Sequence, residues 1–279
     1  MSKVYEKFDL TGKTALITGG AGLLGVEHAT ALLESGATIV LTDINQTALS
    51  EAREKLLNSA DLNQVMTYVM DVSQPEKIKA VAKEIQTKGL RIDILVNNAA
   101  IDPKLKQGGE MLESSRLENF PIDQWDLQIA VGLTGAFLCS QVFGTNMTLD
   151  RKGGVILNIA SDLSVLAPDQ RLYRKENLSE SMQPVKPITY SVIKTGLIGL
   201  TRYLATYWSN YGVRSNALSP GGVSNGQSEE FIQRLNSLIP LGRMAAKNEY
   251  RSAIQFLCSD ASAYLNGQNI IIDGGRSVL

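Results

Sequence analysis

The sequence predicts an α/β protein built on one doubly wound parallel sheet with helices on both faces. Three observations carry this. Strand-like and helix-like patterns alternate almost from end to end. The strand patterns are short, continuous apolar runs, as expected where both faces of a strand are covered. A glycine-rich loop, "TGGAGLLG" at 18–25, joins the first strand to the first helix, at the kind of turn where such sheets bind ligands.

"KTALIT" (13–18) is apolar and rich in strand formers, and "LLGVEHATALLESG" (23–36) reads as a helix closed by Gly36. "ATIVLTD" (37–43) is a strand and "NQTALSEAREKLLNS" (45–59) a helix. "QVMTYVMDV" (64–72) is a strand, followed by the helix "QPEKIKAVAKEIQTKG" (74–89) with Pro75 in its first turn. "IDILVNNAA" (92–100) is a strand, and a long helix pattern runs from Ile122 to Met147. "GGVILNIAS" (153–161), "VRSNALSP" (213–220) and "NIIIDGG" (269–275) are strands, with helices near 189–210 and 247–258. No linker, repeat or low-complexity tract interrupts the pattern. The chain reads as one domain, 1–279, with irregular insertions near 101–120 and 164–187.

Composition excludes several function classes. Lys and Arg number 27 against 28 Asp and Glu, a net charge of −1 that gives no footprint for nucleic acid. "MSKVYEKFDL" lacks the apolar core of a signal peptide, and no uninterrupted apolar run of about 18 residues suggests a membrane span. Cys139 and Cys258 stand outside any metal or redox spacing, and a single histidine, His28, excludes a multi-histidine metal centre. The expectation is a cytoplasmic protein with no metal, no nucleic acid and no membrane.

The loop glycines, Gly19, Gly20, Gly22 and Gly25, let backbone N–H groups approach a diphosphate over the positive end of a helix. That is the dinucleotide site of a Rossmann-type sheet. Asp43 ends the second strand 18 residues beyond Gly25, where a carboxylate accepts hydrogen bonds from the adenosine ribose hydroxyls. It repels a 2′-phosphate, and "TDINQ" offers no Arg or Lys to bind one. The expected cofactor is NAD.

The chain resembles a short-chain dehydrogenase/reductase. It carries "TGGAGLLG", "DVS" (71–73), "NNAA" (97–100), "YSVIK" (190–194), "SPGGV" (219–223) and "IDGG" (272–275), in the family's order and over nearly its whole length. The resemblance implies that Gly19, Gly22 and Leu24 line the diphosphate site. It implies that Asp71 and Val72 flank the adenine, that Asn97 and Ala99 line the cofactor cleft, and that Pro220, Gly221 and Val223 lie near the nicotinamide. The loop spacing TGxxGxxG, with Leu23 where the short branch usually has glycine, resembles the extended branch that works on nucleotide sugars. Length and the other motifs favour the short branch. "AVGLTGAFLCSQVFG", "NIASDLSVLAPDQRLYRKE" and "SPGGV" resemble oxidoreductases linked to flagellin modification and nonulosonate sugars.

Tyr190 and Lys194 are four apart at the start of a helix pattern and share one face. A free tyrosine ionises at about pH 10, and a neighbouring ammonium lowers that value. Tyr190 is therefore expected to carry the proton, with Lys194 holding both the phenol and the cofactor ribose. Ser161 is expected to orient the substrate oxygen, with Ser164 as a second candidate. Two departures from the family stand out. Gly132 in "VGLTGAF" occupies the place of the usual asparagine, and 29 positions separate Ser161 from Tyr190, a longer gap than the family commonly has.

The expected function is NAD-dependent alcohol–carbonyl interconversion on a small polar substrate such as a sugar derivative. A ketoreductase of acyl or hydroxy-acid substrates, a sugar epimerase or dehydratase with retained NAD, and a non-enzymatic NAD sensor are the alternatives. Arg171 and Arg174, in the long segment before Tyr190, are expected to meet an anionic group on the substrate. The helix around 189–210 is apolar on more than one side, so a homodimer or homotetramer is expected.

Overall fold

The structure, a computed structural model, describes residues 3–57, 61, 64–101 and 115–279. Most of the first expected insertion, 101–120, lies outside the described residues.

Seven strands form one wholly parallel sheet: β1 (Thr14–Thr18), β2 (Thr38–Asp43), β3 (Val65–Val69), β4 (Ile94–Asn97), β5 (Gly154–Ile159), β6 (Val213–Pro220) and β7 (Asn269–Ile272). Their order is β3-β2-β1-β4-β5-β6-β7. β1 pairs with β2 on one side and β4 on the other, so Leu16 lies between Val40 and Leu95. The winding reverses there, which opens a crevice at the carboxyl ends of β1 and β4.

Among the described residues the α-helices are α1 (Leu23–Glu34), α2 (Gln46–Leu57), α3 (Pro75–Thr87), α4 (Ile122–Thr148), α5 (Ile188–Tyr207), α6 (Glu229–Asn236) and α7 (Arg251–Cys258). Two cores form, one on each face of the sheet. Ile17, Leu32, Ile39, Leu41 and Ile254 pack on one face, and Leu16, Ile78, Ile85, Phe143 and Ile156 on the other. Cys139 and Cys258 are buried and unpaired, and burial pushes both thiols up to about 12.

Several boundaries move inward from the sequence expectation. "DVS" and "DGG" lie beyond the sheet at strand ends, and in "NNAA" only Asn97 belongs to its strand, β4. Helix α7 starts at Arg251 rather than 247, and the short helix α6 was not anticipated. Helix α4 is long and apolar enough by composition to cross a membrane. The run was missed because isolated polar residues punctuate it. Here it is a core helix: Cys139, Phe143 and Met147 are buried in the second core. It carries two π-helical stretches, Ala130–Thr134 and Ser140–Gly144.

The segment from Val165 to Pro187 folds into two 3-10 turns, Gln170–Tyr173 and Glu180–Met182. Leu172 and Tyr173 pack against Phe231 and Leu235 of α6. Buried Gln183 ties the segment to itself: its amide donates to the Lys175 and Leu178 carbonyls and accepts from the Lys175 N–H.

Candidate active site

All the site residues expected from sequence, apart from Arg171 and Arg174, lie at or just beyond the carboxyl edge of the sheet or on the first turns of the helices facing it. The glycine loop follows β1. Gly19 adopts φ +60°, and a Cβ there would lie 2.8 Å from the Ala99 backbone. A Cβ on Gly25 would lie 2.4 Å from the Gly19 carbonyl oxygen. The spacing of the loop is thereby explained: Gly19 turns the chain against the β4 end, and Gly25 brings α1 down onto the loop. Gly22 is the N-cap of α1 and offers no side-chain cap. The first N–H groups of α1 have no partner within the helix. That is an anion cradle, and it fits the diphosphate of a dinucleotide. Leu23 opens α1 with its side chain exposed, while Leu24 is half-buried.

Residues around the loop hold it in place. The Thr18 hydroxyl accepts from the backbone N–H of both Asn98 and Ala99, at 3.0 Å each. The Asn98 amide donates to the Thr18 and Gly19 carbonyls, also at 3.0 Å. Sequence reading missed Asn98; its signal was the second asparagine of "NNAA". The preceding Asn97 is buried and turns inward, donating to Ser140 and Asn158. Asp43 sits at the end of β2 and accepts from the Ala21 N–H of the loop and from the Asn45 N–H. Asp71 accepts from the Ser73 N–H, the Ser73 hydroxyl and the Gln74 amide. Burial alone would raise its carboxyl, but these hydrogen bonds outweigh it and hold the group below its ordinary value. Val72 is buried against Gly135 of α4. Pro220 ends β6, and Gly221 lies so close to the turn after β7 that a Cβ would meet Asp273 Cα at 2.7 Å. Val223 bridges to Ala245.

The chemical end is built on β5 and α5. Lys194 is buried, and its Nζ donates to the Ile159 carbonyl at 2.8 Å. That contact pins α5 to the end of β5, two residues before Ser161. Tyr190 stands one turn earlier on α5, with Lys194 Nζ 5.7 Å from its ring centroid. A second ammonium, Lys186, stands 3.8 Å from the same centroid. Sequence reading did not single out this cation as a neighbour of the phenol, since a proline and a helix start intervene. Ser161 is buried and caps the turn Asp162–Ser164, accepting from the Leu163 N–H at 3.2 Å. Its hydroxyl donates to Asp162 at 2.8 Å. Ser164, the second candidate, points instead to Ser219 on β6.

Gly132 faces α5. A Cβ there would lie 2.8 Å from Ile193 Cγ2. The space that a side chain at 132 would need is filled by Ile193, the residue before Lys194. Beside it, buried Gln128 accepts from the Thr189 hydroxyl, next to Tyr190.

Arg171 and Arg174 lie farther out, on the exposed segment. Arg171 forms a two-pronged pair with Asp169, and Arg174 pairs with Glu180. With Arg234 they line a surface cleft of about 480 Å³. Among the described residues no cluster of His, Cys, Asp and Glu could hold a metal ion.

Comparison with known proteins agrees with this fold. A family model described as enoyl-(acyl carrier protein) reductase matches residues 21–277. A D-threitol dehydrogenase of Mycolicibacterium smegmatis is 32% identical over 97% of this chain and 95% of its own. An NAD-dependent glycerol dehydrogenase of Listeria innocua is 30% identical over 99% and 98%. The crystal structure of a gluconate 5-dehydrogenase from Burkholderia cenocepacia, in complex with NADP and tartrate, superposes with a TM-score of 0.83 at 28% identity, covering 99% and 100%. With the glycine loop, the Tyr190–Lys194 pair and the parallel sheet in their places, the chain belongs to the short-chain dehydrogenase/reductase family, whose members are oxidoreductases acting on CH–OH groups.

Proposed function

We propose that this protein is an NAD-dependent dehydrogenase that interconverts a secondary alcohol and a ketone on a polyol or sugar-acid substrate. The observation that carries the chemistry is the anchoring of Lys194 on the Ile159 carbonyl beneath Tyr190, beside buried Ser161. NAD, when bound, supplies the two-electron oxidant or reductant at the substrate carbon. The chain's own residues do the rest. Tyr190 takes the hydroxyl proton at Oη in oxidation and returns it in reduction. The ammonium groups of Lys194 and Lys186 favour its phenolate form. Ser161 fixes the substrate oxygen.

Preference for NAD rests on Asp43, whose carboxylate closes the end of β2 with no cationic side chain in "TDINQ". The polyol and sugar-acid class is drawn from the relatives named above. A nonulosonate-type sugar, suggested by the motif resemblance, is a narrower version of the same reading. Arg171 or Arg174 would meet the anionic group of such a substrate. Two buried, unpaired cysteines fit a cytoplasmic setting.

The test is NADH absorbance on a panel of threitol, glycerol, gluconate and a nonulosonate, with NADP in parallel. Turnover of free NAD on one of them supports the reading, and Asp43→Ala then weakens NAD use about tenfold while narrowing the gap to NADP. A higher kcat/KM for NADP in the unaltered protein refutes the cofactor assignment. Reduction of acyl ketones alone supports the ketoreductase. Tightly retained NAD with no net absorbance change supports an epimerase, and binding without any turnover supports a sensor.

A further inference from the structure

Two ammonium groups stand near Tyr190, and different parts of the chain deliver them. Lys194 belongs to α5 itself, is buried, and donates to the Ile159 carbonyl at 2.8 Å. Lys186 precedes the helix, in "PVKP" at 184–187. The proline after it restricts its backbone to extended conformations. Its N–H donates to Gln170 Oε1 at 2.8 Å, and the Val185 N–H beside it donates to Ser115 Oγ at 3.2 Å. The backbone that carries Lys186 is therefore fixed, and its ammonium stands 3.8 Å from the centroid of the Tyr190 ring. Lys186 and Tyr190 are both half-buried, so a molecule entering from solvent can meet them together.

The carboxylate nearest to Ser161 does not oppose an incoming anion. Asp162 is 5% exposed and pairs with Arg276 at 2.8 Å. It also accepts from the Ser161 hydroxyl and from the Leu163 N–H, at 2.8 and 2.9 Å. Its charge is compensated inside the protein.

A cation against the face of a phenol lies close to the hydroxyl of that ring. The substrate oxygen bonds this hydroxyl, and the reacting carbon is one bond farther on. A group on that carbon or on its neighbour comes within reach of Lys186. A group at the far end of the substrate does not; Arg171 and Arg174, farther out on the segment, serve that position. An ammonium carries three donors on a flexible stem, so it can serve a carboxylate oxygen alongside other contacts.

We propose that Lys186 is a specificity-determining residue that binds a carboxylate attached to the reacting carbon or to its neighbour, so that the site takes a 2- or 3-hydroxy acid in preference to the polyol of the same length; this rests on the dehydrogenase reading above. Tyr190 still takes the hydroxyl proton and Ser161 still fixes the substrate oxygen. Lys186 acts on the neighbouring group.

Matched pairs test it: glycerate against glycerol, and tartrate against threitol. Each pair shares its carbon skeleton and differs in carboxylate against CH₂OH. The protein saturated with NADH, or with NADPH if the panel shows that preference, binds a hydroxy acid or polyol without turnover, and the fluorescence of the bound nucleotide reports the affinity. Each acid should bind about tenfold more tightly than its polyol. Lys186→Met should remove that gap by weakening the acids, and Lys186→Arg should keep it. A role confined to the phenol would change kcat for acid and polyol alike and leave the gap in affinity untouched.

The comparison in the unaltered protein needs no variant: acids that bind no more tightly than polyols, or no binding of either acid, overturn the proposal. A gap that survives in Lys186→Met, or equal weakening of acid and polyol, also overturns it. Turnover of neutral polyols with no preference for acids overturns the role of Lys186 and leaves the dehydrogenase reading standing. An acid preference that is lost in Lys186→Met, with no turnover on any member of the panel, refutes the dehydrogenase reading and leaves the anion site in place.

Discussion

At the scale of single residues, Tyr190 and His28 make opposite demands on protonation. Tyr190 must exchange a proton during turnover, so Tyr190→Phe should lower kcat by about 10²–10⁴-fold. The ring still packs, and NAD binding measured by fluorescence titration should be unchanged; near-normal turnover would sink the mechanism. His28 must not take up a proton at all. It is fully buried in α1, neither ring nitrogen has a hydrogen-bond partner among the described residues, and burial pushes its pKa down to about 3. The unfolded chain binds a proton at this residue near pH 6.5 and the folded chain does not, so stability is complete above that value and lost as pH falls toward 3. The loss should reach about 2 kcal/mol at pH 5. Urea denaturation at pH 8 and pH 5 measures it, and His28→Leu should flatten the difference.

At the scale of elements, the α4–α5 contact is the most informative. Gly132→Asn alone should destabilise the protein, because the new side chain meets Ile193; overpacking of this kind costs about 1–3 kcal/mol. Pairing it with Ile193→Ala should recover most of the loss in a thermal melt. Equal stability of the single variant and the unaltered protein would show that the helices separate freely. The departure at 132 was legible in the sequence, but its reason was not, because Ile193 lies 61 positions away and only the packing joins them. The same limit hid Arg276 from Asp162 and Asn98 from Thr18. The alternation of strands and helices, the glycine loop and the Tyr190–Lys194 face were legible because each is set by local periodicity or by short-range spacing. Strand ends were read too long: β4 stops at Asn97 and β7 at Ile272, and the residues after them, Asn98–Ala100 and Asp273–Gly275, lie outside the sheet. The 165–187 segment offers a further test. Exposed ion pairs such as Arg171–Asp169 contribute little, so a substrate anion can compete for the guanidinium. Arg171→Ala or Arg174→Ala should raise KM for a sugar acid several-fold more than for a neutral polyol. An equal effect on both would remove the segment from recognition.

At the scale of the whole molecule, α4 and α5 leave apolar side chains facing outward. Tyr203 and Tyr207 are each 61% exposed and stack at 5.4 Å, with Phe137 and Val192 also exposed. A second copy of the chain would cover them, and replacing both tyrosines by glutamate should shift the species seen by light scattering toward the monomer. A monomer before substitution would reject self-association. The strand order has a consequence for synthesis. β1, β2 and β3 pair among themselves, so the first quarter of the chain can assemble as it leaves the ribosome. The other edge of β1 waits for β4, some fifty residues of translation after β2 is complete. During that interval the future centre of the sheet is an open, apolar edge, which is the form most prone to pair with the wrong chain. Slowed translation between β3 and β4 would lengthen the exposure, whereas the mature protein, with β1 enclosed on both sides, carries no trace of it.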